Sequence, residues 1–299
     1  RQPTSSEIAA AEEFLDTQQR CVDPELALSA SAGFLSDRIP FRDGRAALMT
    51  PRSPQEILSA SLESPLPAGD FTVEAFVYLR SVSDEKNGRT IASMLDSTNA
   101  TAGWALGVTG AKSSRRPQTL ALQLCGLSVS NQPVSDEVLS DLRIQMDKPY
   151  YVGASVQFQT DGATRVTFYV KDLSNDEEPL LVTQARTEVS GGVTAEQTLT
   201  LGGRPGNQQL WDGLIDDVRL TAGVLAREEL ELTRDGTTEQ TVGLWQFEAK
   251  PSYFHDASSH RNDIRPAKAP ESTQLDARTL ALADLCHALL NANEFLYVE

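Results

Sequence analysis

Adjacent carboxylates at Asp216-Asp217 are the first residues in this chain that could do acid–base chemistry. Cleaving a glycosidic bond takes two carboxyl groups across the bond, one protonated and one ionised. The run around them alternates at period two, placing Leu214, Asp216, Val218 and Leu220 on one face of a strand and Ile215, Asp217 and Arg219 on the other. That spacing predicts carboxylates on opposite faces, the wrong geometry for a catalytic pair. Nucleophilic catalysis finds no better footing, because neither Gly-x-Ser-x-Gly nor a convincing Cys/His arrangement occurs. Cys286-His287 has no cysteine three residues before Cys286, so the haem attachment motif is absent and no haem is expected. His255, His260 and His287 lie in different segments without paired cysteines, which argues against zinc. His255 and His260, beside Asp256 and Asp263, read as solvated loop residues.

Two further charges sit on strands otherwise rich in apolar residues. Residues 71–80 place Phe71, Val73, Ala75, Val77 and Leu79 on one face and Glu74, Phe76 and Tyr78 on the other. A strand apolar on both faces belongs inside a sheet. Glu74 and Arg219 are therefore expected on neighbouring inner strands as a structural ion pair, because an unpaired buried charge is costly.

The elements that must position these groups are short. Asp212-Gly213 is a turn signal that feeds the 214–220 strand. Further strands are predicted at 46–49, 57–62, 90–95, 104–108, 120–124, 150–158, 164–171, 180–183, 198–201 and 241–248. The segment up to about Pro40 and the stretch 265–270 read as linkers, and 226–232 as a short helical turn. Thr4-Ser-Ser-Glu7 fits a capping box, predicting a helix over 5–20. A stripe of Leu282, Leu285, Leu289, Ala292 and Leu296 predicts a second helix from about Ala277. These two helices are expected to pack together, leaving Cys286 buried and unbonded to Cys21. The basic run Lys112-Ser-Ser-Arg-Arg-Pro117 reads as a hairpin tip before it reads as an anion site.

Composition narrows the partners. With 299 residues and 40% hydrophobic content the chain can bury a large core. A net charge of −16 opposes sequence-independent nucleic-acid binding, which needs a basic surface. No run approaches the ~20 apolar residues of a membrane span. Three cysteines cannot all pair within one chain. The chain starts at Arg1 without Met and reads as a piece of a longer protein.

Four motifs in order, Phe71-Thr-Val-Glu-Ala-Phe-Val-Tyr-Leu-Arg80, Gly103-Trp-Ala-Leu-Gly-Val108, Leu201-Gly-Gly-Arg204 and Leu210-Trp-Asp-Gly-Leu-Ile-Asp-Asp-Val-Arg-Leu-Thr-Ala-Gly-Val-Leu225, resemble the laminin-G-like, concanavalin A-like jelly-roll family. The resemblance implies a mainly β sandwich over residues 41–268. The Trp245-Gln-Phe-Glu248 and Asp256-Ala-Ser258 segments resemble the piece that opens such sandwiches; here they come late, which implies a permuted strand order. The family's laminarinase-like glycosidases carry Glu-x-Asp-x-x-Glu on one strand, and no such run occurs here. Family members often hold calcium with loop oxygens, which makes Asp96, Asn99, Asp212, Asp256 and Asp263 candidate ligands; each is also an ordinary turn residue satisfying local backbone. The run Ala283-Asp-Leu-Cys-His-Ala-Leu-Leu-Asn-Ala-Asn-Glu-Phe-Leu-Tyr-Val-Glu299 resembles the C-terminal end, and Arg1-Gln-Pro-Thr-Ser-Ser-Glu7 a segment shortly upstream, of one helical domain of secreted planctomycete proteins that also carry cytochrome c modules. That resemblance implies a sandwich inserted into a helical domain split between 1–22 and 276–299, and a secreted, periplasmic or cell-envelope address. Three functions stay open: a non-catalytic module binding carbohydrate or an envelope protein, a glycoside hydrolase or lyase, and a structural spacer.

Overall fold

The computed structural model describes residues 4, 8–12, 14–15, 35–51, 57–62, 69–84, 87–96, 101–114, 116–159, 164–191, 193, 198–248, 254–266, 282 and 285–286. In chain order the strands are β1 (Leu35–Asp37), β2 (Ala46–Met49), β3 (Leu58–Ser61), β4 (Phe71–Leu79) and β5 (Arg89–Leu95). Then come β6 (Gly103–Val108), β7 (Thr119–Leu127), β8 (Pro133–Arg143), β9 (Pro149–Gln157) and β10 (Thr164–Asp172). The last five are β11 (Leu181–Thr187), β12 (Thr198–Leu201), β13 (Gly213–Ala222), β14 (Thr241–Trp245) and β15 (Ile264–Pro266). They form two antiparallel sheets. One runs β1-β2-β13-β4-β9-β10-β11, with β14 also on β13, and the other β15-β3-β12-β5-β6-β7-β8. This is the jelly-roll sandwich.

The core lies between the sheets. Phe71 stacks on Trp104 across it at 5.4 Å between ring centres. At period two from Phe71, Val73, Ala75 and Val77 share that inward face, all 1% exposed or less. The opposite face of β4, which would meet water in a plain sandwich, is buried too. Phe76, Tyr151, Tyr169 and Leu214 form a second apolar layer with Ile39, Leu225 and Leu230, which arrive on loops. β4 is therefore enclosed on both sides, as its two apolar faces require.

Three strands differ from the sequence reading. β1 and β15 occupy stretches read as linkers; both are three-residue edge strands, one in each sheet, too short for a period to register. β8, eleven residues at the edge of the second sheet, carries mostly partly or fully exposed positions, so its polar residues hide the alternation. The helical turn at 226–232 shrinks to the 3-10 turn Arg227–Glu229, because Leu230 swings into extended backbone and is fully buried.

The chain divides into two compact units, residues 35–267 and residues 1–34 with 268–299. Within the second unit, residues 8–12 and 14–15 are helical, and Ile8 N–H donates to Thr4 C=O at 3.0 Å, as the first bond of a helix capped at Thr4 would. Packing of the terminal helices lies outside the described residues. Cys286 is a free thiol and exposed, contrary to the burial expected of it; Leu282 of the same stripe is 49% exposed, so the stripe is uncovered there.

The turn into β13 is set by sterics. Gly213 has φ +137°, and a Cβ on it would stand 1.9 Å from the Tyr78 carbonyl oxygen in the paired strand. Backbone on both sides cannot yield. Gly213→Ala is expected to cost about 2–3 kcal/mol, read as a lower urea midpoint.

Candidate functional site

Arg219 is the charge about which the outer layer is built. β13 and β4 pair so that Arg219 faces Glu74, and both side chains have no exposed surface. Arg219 Nη2 lies 2.8 Å and Nε 3.1 Å from Glu74 Oε2, a two-pronged contact. The rest of the guanidinium donates to the carbonyls of Gly236 at 2.8 Å and Glu229 at 2.6 Å. Glu231 Oε2 stands 2.7 Å from Nη1 as an ion pair, out of hydrogen-bond alignment. Glu74 Oε1 accepts from the Tyr151 hydroxyl at 2.6 Å and from Glu231 N–H at 2.8 Å. Burial pushes the Tyr151 hydroxyl well above its ordinary range, so it stays a donor. Burial also raises Glu231 to about 7, against the pull of Arg219 and the Gly236 N–H. Nothing in this cluster reaches water, so its work is structural: it clamps the loop after β13 onto the sheet. Glu231 was missed at the sequence level, although a lone charge between Leu230 and Leu232 carries the same signal that marked Glu74.

The aspartate pair overturns the expectation of opposite faces. Phe76 pairs with Asp216 and Glu74 with Arg219, so Asp217 and Val218 together oppose Ala75 alone: a β-bulge. Asp217 takes φ +43° within it. The bulge falls where the other edge of β13 changes partner, from β2 at residues 213–215 to β14 at 218–221. Both carboxylates turn to one side, where Arg42 bridges them, 3.7 Å from Asp216 and in direct contact with Asp217. The Arg42 guanidinium lies over the Phe76 ring, 3.4 Å from its centre. Burial, then the neighbouring Asp217, raises Asp216 to about 8; burial raises Asp217 as well. A carboxyl that keeps its proton up to about 8 beside a second carboxyl on the same side is an acid–base pair in kind. Their side chains are only 5% and 9% exposed, and Arg42 covers them.

Among the described residues, only Asp256 and Asp263 of the calcium candidates lie together. Asp256 is buried, and its two oxygens accept from Leu244 N–H, Ser258 N–H and Oγ, and Asn262 N–H at 2.6–2.8 Å, which fills the lone pairs of a carboxylate. Asp263 accepts from Asp256 N–H at 2.9 Å and faces His255 at 3.4 Å. Asp212 accepts from the Ser81 hydroxyl, which in turn accepts from Arg89 at 2.9 Å. Asp96 closes its own turn on Thr101, at the far end of β5 from Arg89. Asn99 lies outside the described residues. Among the described residues no group of three His, Cys, Asp or Glu is placed to hold a metal ion.

One open cleft lies where the sheets' edge strands β8 and β11 meet, with a volume near 490 Å³. Its charged walls are Arg116, Asp136, Glu137, Asp141 and Arg186, with Val138 and Leu139 between them. Arg116, from the basic hairpin tip, pairs with Asp141. Sequence reasoning missed this site because it joins residues from three separate stretches and rests on a strand it did not find.

Truncating the clamp as Glu74→Gln or Arg219→Gln should cost about 3 kcal/mol in denaturant titration, since each leaves a buried partner charge. Asp216 holds a proton in the folded chain that it loses near 3.8 when unfolded. Its stabilisation is complete below 3.8 and lost as pH rises through about 8. Asp216→Asn should therefore flatten the fall of unfolding free energy between about pH 5 and 8.

No curated protein matches the chain. Among solved structures it is similar to a heptameric SAP-like pentraxin from Limulus polyphemus, at 16% identity over 76% of this chain and 96% of that one, TM-score 0.40. A PL-14 alginate lyase from Aplysia kurodai matches at 9% identity over 63% of this chain and 87% of that one, TM-score 0.36. The VIP36 exoplasmic/lumenal domain in its Ca2+/Man2-bound form matches at 11% identity over 57% and 75%, TM-score 0.31. The family model for the concanavalin A-like lectin/glucanases superfamily matches residues 55–231, over half of the chain, and the chain belongs to that superfamily.

Proposed function

We propose that this chain is a non-catalytic binding module that recognises a polysaccharide or an envelope protein, within a secreted multidomain protein. The superfamily's name spans lectins and glucanases, and the β8–β11 cleft is the observation that supports the binding reading. Its guanidinium and carboxylate groups offer paired donors and acceptors to vicinal hydroxyls, while the half-buried Leu139 offers an apolar contact to the sugar ring. A cleft of this size falls in the range of small-ligand sites. Its openness suits reversible recognition more than bond cleavage, which gains from excluded water. The cleft reading does not rest on calcium, since Asp256, Asp212 and Asp96 are each engaged by protein groups, and calcium assistance stays a matter for the array below. The split helical domain at 1–22 and 276–299, and the secreted address, belong to the same proposal and rest on the wording of the termini.

The rival reading, a glycoside hydrolase or lyase, draws on the Asp216–Asp217 pair. Arg42 stands between that pair and any substrate, so we read the pair as structural. A glycan array with calcium and with chelator tests the proposal. Signal should survive the chelator and weaken about fivefold to tenfold in Arg186→Ala and Asp136→Ala. An array blank in both conditions would favour the spacer, and product release lost in Asp216→Asn would favour the enzyme.

A further inference from the structure

Phe41 is 77% exposed and sits at φ +66°, a conformation that bulky side chains rarely take. It is the third residue of the turn Ile39-Pro40-Phe41-Arg42, closed by Arg42 N–H donating to Ile39 C=O at 3.1 Å. A positive φ at that position after proline normally selects glycine. Both ends of the turn are anchored: Ile39 is 2% exposed in the outer apolar layer, and Arg42 is held by Asp216, Asp217 and the Phe76 ring. The fold thus holds a strained turn rigid and gives it an aromatic ring that packs against little. Strain kept where no packing rewards it marks a contact made with something else.

We propose that Phe41 is a ligand-contacting platform on which one pyranose ring of a polysaccharide stacks. The proposal rests on the binding-module reading and adds a site apart from the cleft. Arg42 is fixed to β13, four strands from β11 in the same sheet, about 19 Å at ~4.8 Å per strand. A sugar ring is the occupant because the platform is a single ring in polar surroundings. Arg38, Asp43 and Arg45 beside it are all exposed, giving donors and acceptors for the hydroxyl rim of a ring whose apolar side lies on Phe41. A protein hot spot or a lipid-inserting face needs contiguous apolar surface. The other exposed large hydrophobics among the described residues, such as Val129, Met146, Val182 and Val224, lie on other segments.

Affinity electrophoresis in gels containing soluble xyloglucan, galactomannan, laminarin or alginate tests this, with thermal unfolding alongside. Phe41→Gly removes the ring and suits the backbone, so Tm should hold or rise by about 2 °C. Retardation should weaken about tenfold or more in Phe41→Gly and persist in Phe41→Tyr. Retardation of wild type that Phe41→Gly leaves unchanged would overturn the platform while the cleft reading stands. A Tm lowered in Phe41→Gly would show that the ring packs for stability, and would overturn it also. Wild type retarded in no gel, or captured by phosphatidylcholine–phosphatidylglycerol vesicles alone, would overturn both.

Discussion

A guanidinium with no exposed surface must find hydrogen-bond and charge partners inside the protein, and Arg219 recruits them from three places at once. Glu74 comes from the neighbouring strand, Glu231 from the loop beyond the 3-10 turn, and carbonyls from Glu229 and Gly236. Because these partners lie on separate segments, satisfying one charge fixes the path of the chain after β13. That loop delivers Leu225 and Leu230 over Phe76, Tyr151 and Leu214. The outer apolar layer therefore depends on a polar contact. Hydrophobic burial alone would hold the loop down without specifying where it crosses the sheet.

The bulge in β13 follows from the same requirement. With strict alternation Arg219 would share a face with Ile215 and project between the sheets, where Val73, Val77 and Trp104 offer a charge no partner. The extra residue at Asp217–Val218 reverses the later half of the strand, so Val218 and Leu220 enter the core and Arg219 joins Glu74 outside it. Two carboxylates brought to one side are the consequence. Arg42 and a retained proton offset their repulsion, and in doing so Arg42 anchors the turn that carries Phe41.

How far the sequence could be read depends on which signals are periodic. β4, β9, β10 and β13 emerged because long half-buried or buried strands repeat every second residue, and the Glu74–Arg219 contact was legible as two charges out of place on such strands. The bulge was not legible. It preserves composition and shifts phase by one residue, and nothing in Ile-Asp-Asp-Val marks which residue is extra. The calcium donors were chosen by residue type, which does not tell a carboxylate with free lone pairs from one like Asp256 that its own loop has saturated. The cleft needed β8, whose exposed edge positions carry polar residues on both faces.

A sandwich offers a ligand its two outer faces, its edges and its loops. In this chain the centre of one outer face is closed by its own loops, packed over an ion cluster that cannot open without stranding buried charge. The recognition proposed for this chain therefore falls outward of that centre, at the seam where β8 meets β11 and at the turn beside Arg42. Both places share a physical character that the closed centre lacks: backbone held rigid from beneath, with side chains free to meet solvent. Rigid support limits the entropy lost when a flexible glycan binds, since only the ligand must be ordered. If the proposed sites bind, the buried cluster serves them indirectly, by fixing the outer layer on which the Arg42 turn is packed.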